Sequence, residues 1–312
     1  MFEGLPNEVT VYEVGPRDGL QNEKAFVKTE DKVALIDALL GAGLPKVEIT
    51  SFVHPRWIPA LADAGEVARQ CALKDNYARC TALVPNEKGL TRALEVKLPE
   101  IAVFMSASAT HNLRNINKDH EQTFAAFKPV FELCHEQGIS VRAYVSTVWG
   151  CPYEGEVAPQ RTAEISARLL DMGAYQISLG DTIGIGDPRQ TAQILGEVGA
   201  AVGIERLAMH MHDTRGMALA NCLVGLEYGI RTFDSSIAGL GGCPYAPGAS
   251  GNLATEDLVL MLHRLGIKTG IDIDNVVRAG LMAQAILGRT LPGRALQAFA
   301  AERRASAGDV DA

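Results

Sequence analysis

The sequence predicts an α/β fold, a (β/α)8 TIM barrel with a C-terminal helical extension, and three observations support this prediction. Eight short apolar or β-branched runs alternate with segments of helical periodicity. No Gly/Ser-rich linker divides the chain. Its 312 residues suit one such domain, since α/β barrels run to about 250 residues or more. We expect a single domain over residues 1–312, with the barrel at about 8–266 and the extension at about 270–304. An open, doubly wound sheet is the lesser alternative.

The eight candidate strands are short runs rich in β-branched and apolar residues. They are residues 9–14, 46–52, 77–84, 101–106, 141–147, 175–179, 207–212 and 232–238. In a barrel of this kind the active site is built from the C-terminal ends of the strands and the loops that follow them. Functional residues are therefore expected at those positions.

Helical signals separate the strands. Residues 33–40 have helical periodicity and stop at glycine, and Asp187-Pro188 is typical of a helix start. Pro129 interrupts an otherwise helical stretch, residues 118–137, so we expect a kink or a divided helix there. A last helical segment, residues 274–287, forms the predicted extension.

The composition is that of a globular protein. Hydrophobic residues make up 47% and charged residues 21%, which argues against disorder. No apolar run approaches the roughly 20 residues that span a bilayer. The N-terminus has neither a basic leader nor an apolar signal core, so we expect a cytoplasmic protein. A net charge of -8 argues against nucleic acid as the main partner.

The cysteines are scattered and form no C-x-x-C pair, which predicts reduced thiols rather than a disulfide framework or a structural zinc site. They are Cys71, Cys80, Cys134, Cys151, Cys222 and Cys243. Cys243 differs from the others because it lies in a glycine-rich loop, residues 239–252, that follows the eighth strand. Glycines let such a loop approach a ligand closely, so it is a candidate lid.

Charged residues follow the first strand and interrupt the second. Arg17 and Asp18 come directly after the first strand, between two glycines. Glu48 lies within the second strand, where an inward carboxylate is costly without a partner. Arg17 is the natural partner of Glu48. An ion pair that only closes the rim of the barrel is the alternative to a functional role.

A pair of histidines ends the seventh strand. His210 and His212 are two residues apart, so on a strand they point to the same side. Alone, the pair fits one core and one surface histidine as well as it fits two metal ligands. With Asp18 and Asn252 it becomes a set of oxygen and nitrogen donors. Such a set suits Mg²⁺ or Mn²⁺, with Zn²⁺ or Co²⁺ as further candidates.

Six motifs, in this order along the chain, together resemble the 3-hydroxy-3-methylglutaryl-CoA lyase family. They are GPRDGLQNE at 15–23, EITSF at 48–52, GCPYEG at 150–155, SLGDT at 178–182, HMHDT at 210–214 and the loop 239–252. The resemblance runs from about Val9 to Gly266. More widely, the chain is similar to TIM-barrel metallolyases, which include Claisen-type synthases and 4-hydroxy-2-oxoacid aldolases.

The resemblance implies retro-Claisen cleavage of a 3-hydroxy-3-methylglutaryl thioester to acetyl-CoA and acetoacetate, a step of leucine degradation. It further implies that Asp18, His210, His212 and Asn252 hold the divalent metal. Asp18, or a water that it orients, would deprotonate the substrate hydroxyl.

The resemblance assigns the remaining candidate residues to catalysis or substrate binding. Arg17 would stabilise the enolate, Glu48 would orient Arg17 or the waters on the metal, and Cys243 would protonate the enolate carbon. Asp181 would orient its neighbours. The implied substrate contacts are Gln21, Ser51, Tyr144 and Ser178.

Two residues depart from the family's pattern near the catalytic face. Arg215 stands where tyrosine is common, and Trp149 where a smaller residue is common. A bulky Trp149 would reshape the acyl pocket and Arg215 would bind another anion, so both bear on substrate identity.

The sequence is also compatible with other functions. They are cleavage of a related 3-hydroxy acyl-CoA, aldol cleavage of a 4-hydroxy-2-oxoacid, metal-assisted hydrolysis, and a non-catalytic CoA-binding barrel. A homodimer or higher homo-oligomer is expected. No function is predicted for His54, His111, His120, His135 and His263.

Overall fold

The structure is a computed structural model that describes residues 3–242 and 251–308. Eight parallel strands pair in sequence order, and the last closes on the first, so the predicted barrel is confirmed. The strands are β1 Thr10–Glu13, β2 Lys46–Ser51, β3 Cys80–Leu83, β4 Glu100–Ser106, β5 Ser140–Ser146, β6 Gln176–Asp181, β7 Leu207–Met211 and β8 Thr232–Ser235.

Helices follow the strands and cover the outside of the barrel in the described part of the chain. They are α1 Thr29–Gly41, α2 Ala64–Cys71, α3 Glu87–Leu94, α4 Ala109–Ile116, α5 His120–Gln137, α6 Pro159–Asp171, α7 Pro188–Val202, α8 Ala218–Glu227, α9 Thr255–Arg264, α10 Ile273–Leu287 and α11 Arg294–Gly308. Asp187 caps α7 through the backbone N–H groups of Arg189 and Gln190, as its sequence predicts. None of the helices in the described ranges is long and apolar enough to cross a membrane.

Several strand boundaries differ from their predictions by a few residues. β3 begins at Cys80 because Tyr77–Arg79 forms a short 3₁₀ turn, in which the Tyr77 hydroxyl donates to the Val96 carbonyl. β8 ends at Ser235 because Ile237–Gly239 turns away from the sheet, and Ala238 has a φ of 57°. β6 continues past the predicted end to Asp181. The eight strands themselves are the predicted ones.

Pro129 does not divide its helix. α5 runs as one helix through this proline, so the divided helix, one of the two predicted alternatives, is wrong, while a kink stays a prediction. Four large side chains on both sides of the proline are buried, namely Phe124, Phe127, Val130 and Phe131. Their packing outweighs the one backbone hydrogen bond that the proline removes.

The interior of the barrel is polar at its N-terminal end. Glu100, at the start of β4, accepts hydrogen bonds from Lys46 Nζ at 2.6 Å and from the Tyr175 hydroxyl at 2.8 Å. The Tyr12 hydroxyl lies 3.0 Å from the same carboxylate. The apolar core lies instead between the strands and the outer helices. Charged side chains inside the barrel are therefore paired, as their burial requires.

The C-terminal segment packs against α1 through a close backbone approach. The Asp272 N–H donates to the Ala42 carbonyl at 2.8 Å. Gly43 has a φ of 97°, and a Cβ placed on it would lie 2.4 Å from the Gly270 carbonyl oxygen. α10 thus contacts the first barrel helix, while the assignment of residues 1–312 to one domain stays a prediction.

We predict that Gly43→Ala lowers the free energy of unfolding by about 1–3 kcal/mol, because an L-residue is strained at this φ and its methyl group meets a backbone oxygen. Urea denaturation followed by far-UV circular dichroism measures the change. Gly41→Ala is the matched control. A Cβ at Gly41 meets nothing within 4 Å, and its φ is not positive. That variant gains roughly 0.5 kcal/mol. Equal stabilities of the two variants would contradict the prediction.

Candidate active site

A tight helical turn after β1 carries the first two site residues. Residues Gly15–Gly19 form this turn, in which the N–H groups of Arg17 and Asp18 donate to the Val14 carbonyl at 3.1 and 2.7 Å. Glycine is required at position 15, since a Cβ there would lie 2.7 Å from the carboxylate of Glu13. The turn delivers Arg17 and Asp18 to the C-terminal mouth of the barrel.

Arg17 and Glu48 form a buried ion pair across the mouth. Arg17 Nε donates to Glu48 Oε2 at 2.5 Å, and Arg17 Nη1 donates to Asp18 Oδ1 at 2.5 Å. The Tyr144 hydroxyl donates to the same oxygen of Glu48 at 3.2 Å. Burial raises the pKa of Glu48, and the guanidinium of Arg17 opposes that rise. The arginine therefore joins the ends of β1 and β2.

Asp18, His210 and His212 form one cluster of candidate metal ligands. Each offers a ligand atom within 4.8 Å of the others, and no other such group occurs among the residues that the structure describes. His210 Nε2 lies 3.8 Å from Asp18 Oδ2. Asn252 joins them, because its Nδ2 donates to Asp18 Oδ2 at 2.8 Å. The structure thus brings together the four residues expected to hold a metal.

The donor set fits a divalent cation. His212 Nδ1 and Asn252 Oδ1 are buried and have no hydrogen-bond partner among the described residues. A buried polar atom without a partner costs free energy, and a bound cation would supply the missing interaction to an imidazole or a carbonyl oxygen.

The protonation states also suit a metal. Burial acts to raise the pKa of Asp18, but the charge of Arg17 and the nearby His210 and His212 lower it to about 2. Burial lowers the pKa of His212 to about 4, and the neighbouring His210 adds to this effect. At neutral pH Asp18 is therefore a carboxylate and His212 a neutral imidazole, the forms in which they bind a cation.

Two buried residues behind His210 were not among the residues predicted from sequence. Asp234 Oδ2 lies 3.2 Å from His210 Nδ1. Arg142 pairs with Asp234 through two hydrogen bonds, at 2.7 and 3.1 Å. Both side chains are inaccessible to solvent. The sequence holds one signal for Asp234, an acid inside an otherwise strand-like run, which is the signal that singled out Glu48.

The predicted substrate contacts all have partners within the protein. Gln21 Nε2 donates to Asp18 Oδ1 at 2.7 Å, and the Ser178 hydroxyl donates to Asp234 Oδ2 at 2.7 Å. Ser51 Oγ accepts from the Val53 N–H at 3.2 Å. Cys243, the predicted proton donor, lies outside the described residues.

Asp181 organises the loop after β6. Its carboxylate accepts the N–H groups of Ile185 and Gly186 at 3.1 and 2.8 Å. Burial raises its pKa to about 6, and the backbone N–H groups oppose the rise. On the other side of the loop, Arg215 Nη1 donates to the Ile183 and Gly184 carbonyls at 2.9 and 3.1 Å. Asp181 and Arg215 thus hold one loop between them.

Trp149 lies behind the same loop. Its Nε1 donates to the Thr191 hydroxyl at 2.8 Å, and the side chain is 1% exposed. A Cβ on Gly186 would lie 2.4 Å from the indole ring. The indole is therefore packed between the loop after β6 and α7.

Glu13 ties the turn after β1 to the loop after β8. Its Oε1 accepts the N–H groups of Gly15 and Ile237 at 2.7 and 2.8 Å, and its Oε2 accepts the Thr255 hydroxyl at 2.6 Å. Burial raises the pKa of Glu13 to about 7, against the effect of these three hydrogen bonds. This carboxylate supports the turn that carries Arg17 and Asp18.

The fold and the site define the class as a TIM-barrel protein with a candidate divalent-metal centre at the C-terminal mouth. The sequence model of the family described as HMGL-like matches residues 8–282. The chain belongs to this HMGL-like family.

Three relatives illustrate the similarity. A hydroxymethylglutaryl-CoA lyase of Bacillus subtilis is 47% identical over 294 residues, covering 94% of this chain and 98% of that protein. A 3-hydroxy-3-isohexenylglutaryl-CoA/hydroxymethylglutaryl-CoA lyase of Pseudomonas aeruginosa is 46% identical, covering 96% of this chain and 99% of that protein. The solved structure of an Acinetobacter baumannii HMG-CoA lyase, in complex with coenzyme A and 3-methylmalate, has a TM-score of 0.88 and 39% identity, covering 94% of this chain and 95% of that chain.

We predict that Glu13→Gln flattens the pH dependence of stability. Because Glu13 has a pKa of about 7 in the folded protein against 4.5 ordinarily, the folded state binds more protons in this window. The free energy of unfolding therefore falls as pH rises from 4.5 to 7, by roughly 3 kcal/mol from this group alone. Urea titrations of metal-free protein across this range measure the slope.

The control for this prediction is Glu164→Gln. Glu164 lies on α6 and is exposed, so its replacement leaves the profile nearly unchanged. An identical slope in the wild type and Glu13→Gln would contradict the assignment of Glu13 as a buried, proton-retaining carboxyl group.

Proposed function

We propose that this protein catalyses the divalent-metal-dependent retro-Claisen cleavage of 3-hydroxy-3-methylglutaryl-CoA to acetyl-CoA and acetoacetate. The observation that carries the proposal is the cluster of Asp18, His210 and His212 beside the Arg17–Glu48 ion pair. It lies on a barrel whose relatives over nearly the full length are named hydroxymethylglutaryl-CoA lyases.

Asp18, His210, His212 and Asn252 are the proposed metal ligands. When bound, a divalent cation would act there as a Lewis acid that lowers the pKa of the substrate hydroxyl. Carboxylate and amide oxygens next to two imidazoles favour Mg²⁺ or Mn²⁺ over Zn²⁺ or Co²⁺.

Asp18 directs the removal of the hydroxyl proton. Its Oδ1 accepts from Arg17 and Gln21, and its Oδ2 accepts from Asn252. A pKa of about 2 makes this carboxylate a weak base. We therefore favour a role in which Asp18 orients a water that takes the proton, over direct abstraction.

Arg17 stabilises the negative charge that develops when the carbon–carbon bond breaks. Glu48 and Asp18 engage its Nε and Nη1, which fixes the plane of the guanidinium. The Nη2 edge then donates to the enolate oxygen of the departing acetyl-CoA. A donor that is already held in place does not have to reorganise during the reaction. Its hydrogen bond strengthens as negative charge develops on the enolate oxygen, and this lowers the free energy of the transition state.

The step balances with one proton acceptor and one proton donor. The hydroxyl proton leaves to the base, the alkoxide becomes the ketone of acetoacetate, and the electrons of the broken bond form the enolate of acetyl-CoA. Cys243 is the proposed donor of a proton to the enolate carbon.

The two residues that depart from the family's pattern, Trp149 and Arg215, both form hydrogen bonds within the protein. Trp149 is engaged by Thr191, and Arg215 by two carbonyls of the loop after β6. Because Arg215 is already engaged within the protein, these contacts favour 3-hydroxy-3-methylglutaryl-CoA as the substrate over one whose anion is bound by Arg215. The Pseudomonas aeruginosa relative, named for two substrates, makes a longer 3-substituted glutaryl-CoA the second candidate. Leucine degradation, a cytoplasmic location and a homo-oligomer stay predictions.

We predict that the purified protein releases acetoacetate from 3-hydroxy-3-methylglutaryl-CoA in the presence of Mg²⁺ or Mn²⁺, and that EDTA abolishes the release. His212→Ala loses activity because a ligand is removed, whereas His135→Ala, an exposed histidine on α5, keeps it. A coupled assay for acetoacetate measures the rate.

A substrate panel identifies the correct alternative if acetoacetate does not appear at high enzyme concentration. Turnover of 3-hydroxy-3-isohexenylglutaryl-CoA alone would move the assignment to that thioester. Pyruvate released from a 4-hydroxy-2-oxoacid would indicate an aldolase. Tight thioester binding without turnover under any metal would indicate a binding protein.

We predict that Arg17→Gln lowers kcat by about 100–1,000-fold, because the enolate loses its donor. Burial raises the pKa of Glu48, so without the arginine this carboxyl group takes up a proton, the protein still folds, and its Mn²⁺ content stays near that of the wild type. Stopped assays and metal analysis measure both quantities. Arg69→Gln, on the exposed face of α2, is the control and retains full activity. Loss of bound metal in Arg17→Gln would show that Arg17 shapes the metal site rather than stabilising the enolate.

A further inference from the structure

We propose that Asp234 is a positioning residue that holds His210 in the tautomer with a proton on Nδ1, so that Nε2 is presented to the metal. The inference rests on the proposed metal centre and concerns how this chain prepares it. It does not depend on which substrate is cleaved.

The register of the sheet brings the two residues together. His210 on β7 is paired with Asp234 on β8 in the parallel ladder. Residues so paired on neighbouring strands extend from the same face of the sheet. His210 Nδ1 therefore lies 3.2 Å from Asp234 Oδ2, inside the barrel and shielded from solvent.

Asp234 must act as the hydrogen-bond acceptor in this contact. Arg142 donates to it through Nη1 at 3.1 Å and Nη2 at 2.7 Å, and a guanidinium has no acceptor to offer. The Ser178 hydroxyl donates to Oδ2 at 2.7 Å. A carboxylate paired with a buried arginine in this way is ionised, so the proton in the contact with His210 belongs to the imidazole.

The other ring nitrogen then faces the metal cluster. With its proton on Nδ1, a neutral His210 carries its lone pair on Nε2, which lies 3.8 Å from Asp18 Oδ2. The edge-on ring of Tyr144, with centroids 6.0 Å apart and an interplanar angle of 84°, packs against the imidazole. The ring is therefore held both by a hydrogen bond and by packing.

The two candidate histidine ligands are not equivalent. His212 Nδ1 is buried without a hydrogen-bond partner among the described residues and is available to a cation, whereas His210 Nδ1 is engaged by a carboxylate, which leaves Nε2 for the cation. Carboxylate partners of this kind orient histidine ligands and raise their basicity, and their loss costs about 10–100-fold in metal affinity.

Arg142 acts through Asp234. Its guanidinium lies over the Tyr12 ring at 4.2 Å and the Tyr144 ring at 5.1 Å, which fixes its position at the centre of the barrel. The pair could instead serve stability alone. A purely structural role would leave the tautomer of His210 and the metal affinity independent of Asp234, and this difference can be measured.

The first experiment determines the tautomer in the metal-free wild type. Long-range ¹H–¹⁵N spectra of protein labelled with ¹⁵N-histidine and treated with EDTA distinguish the two tautomers. A His210→Gln variant assigns the signal among the seven histidines. We expect His210 to carry its proton on Nδ1. A proton on Nε2 overturns the proposal, whatever the variants show.

The second experiment replaces the buried pair by apolar residues. Arg142→Met combined with Asp234→Leu leaves no unpaired buried charge, so the barrel is expected to fold. Mn²⁺ affinity, measured by electron paramagnetic resonance, falls about 10–100-fold, and His210 populates both tautomers. Unchanged affinity and an unchanged tautomer in the folded variant overturn the proposal.

Two controls separate positioning from stability. Lys46→Met combined with Glu100→Gln removes another ion pair of the barrel, a partly buried one at its N-terminal end, and leaves the tautomer and Mn²⁺ affinity unchanged. Ser178→Ala removes one donor from Asp234 but keeps the charge pair, and His210 retains its Nδ1 proton. Neither readout uses substrate, so a failed lyase assignment and a failed positioning role are distinguishable.

Discussion

The buried ion pair between Arg17 and Glu48 is the interaction on which the site depends. Taking each of these charges out of water costs several kcal/mol, so neither charge is tolerated at the mouth without the other. The pair joins the turn after β1 to β2. From there Arg17 Nη1 fixes Asp18, and Asp18 accepts from Asn252 in the loop after β8. One arginine thereby links three segments that meet only in the closed barrel.

Burial acts to raise the pKa of each buried carboxyl group in this barrel, and the partner of the group decides the outcome. Asp18 and Asp234 stay ionised, with pKa values of about 2, because their arginine partners overcome the effect of burial. Carboxyl groups that face backbone N–H groups behave differently. Burial raises the pKa of Glu13 to about 7 and that of Glu256 to about 8. The first group serves the proposed metal centre, while the second supports the loops that carry it.

The departures from expectation have physical causes. An acid in a strand signals a buried partner, and this signal applies to Glu48 on β2 and equally to Asp234 on β8. The partners of Asp234, Arg142 and His210, lie on other strands far away in sequence, so the sequence alone does not pair them. Ser178 lies at its expected strand end, yet its hydroxyl is engaged by Asp234. Pro129 is tolerated inside α5 because tertiary packing exceeds local helix propensity.

The sequence by itself determined the order of the strands and helices, the barrel and the residue types at the strand ends. These follow from local periodicity and from motifs read within a few residues. Only the tertiary structure decided which of those residues meet. Arg17 and Glu48 are 31 positions apart, and Asp18 and Asn252 are 234 apart. Contacts of such separation form when the barrel closes, and burial then gives each charge its partner and its protonation state.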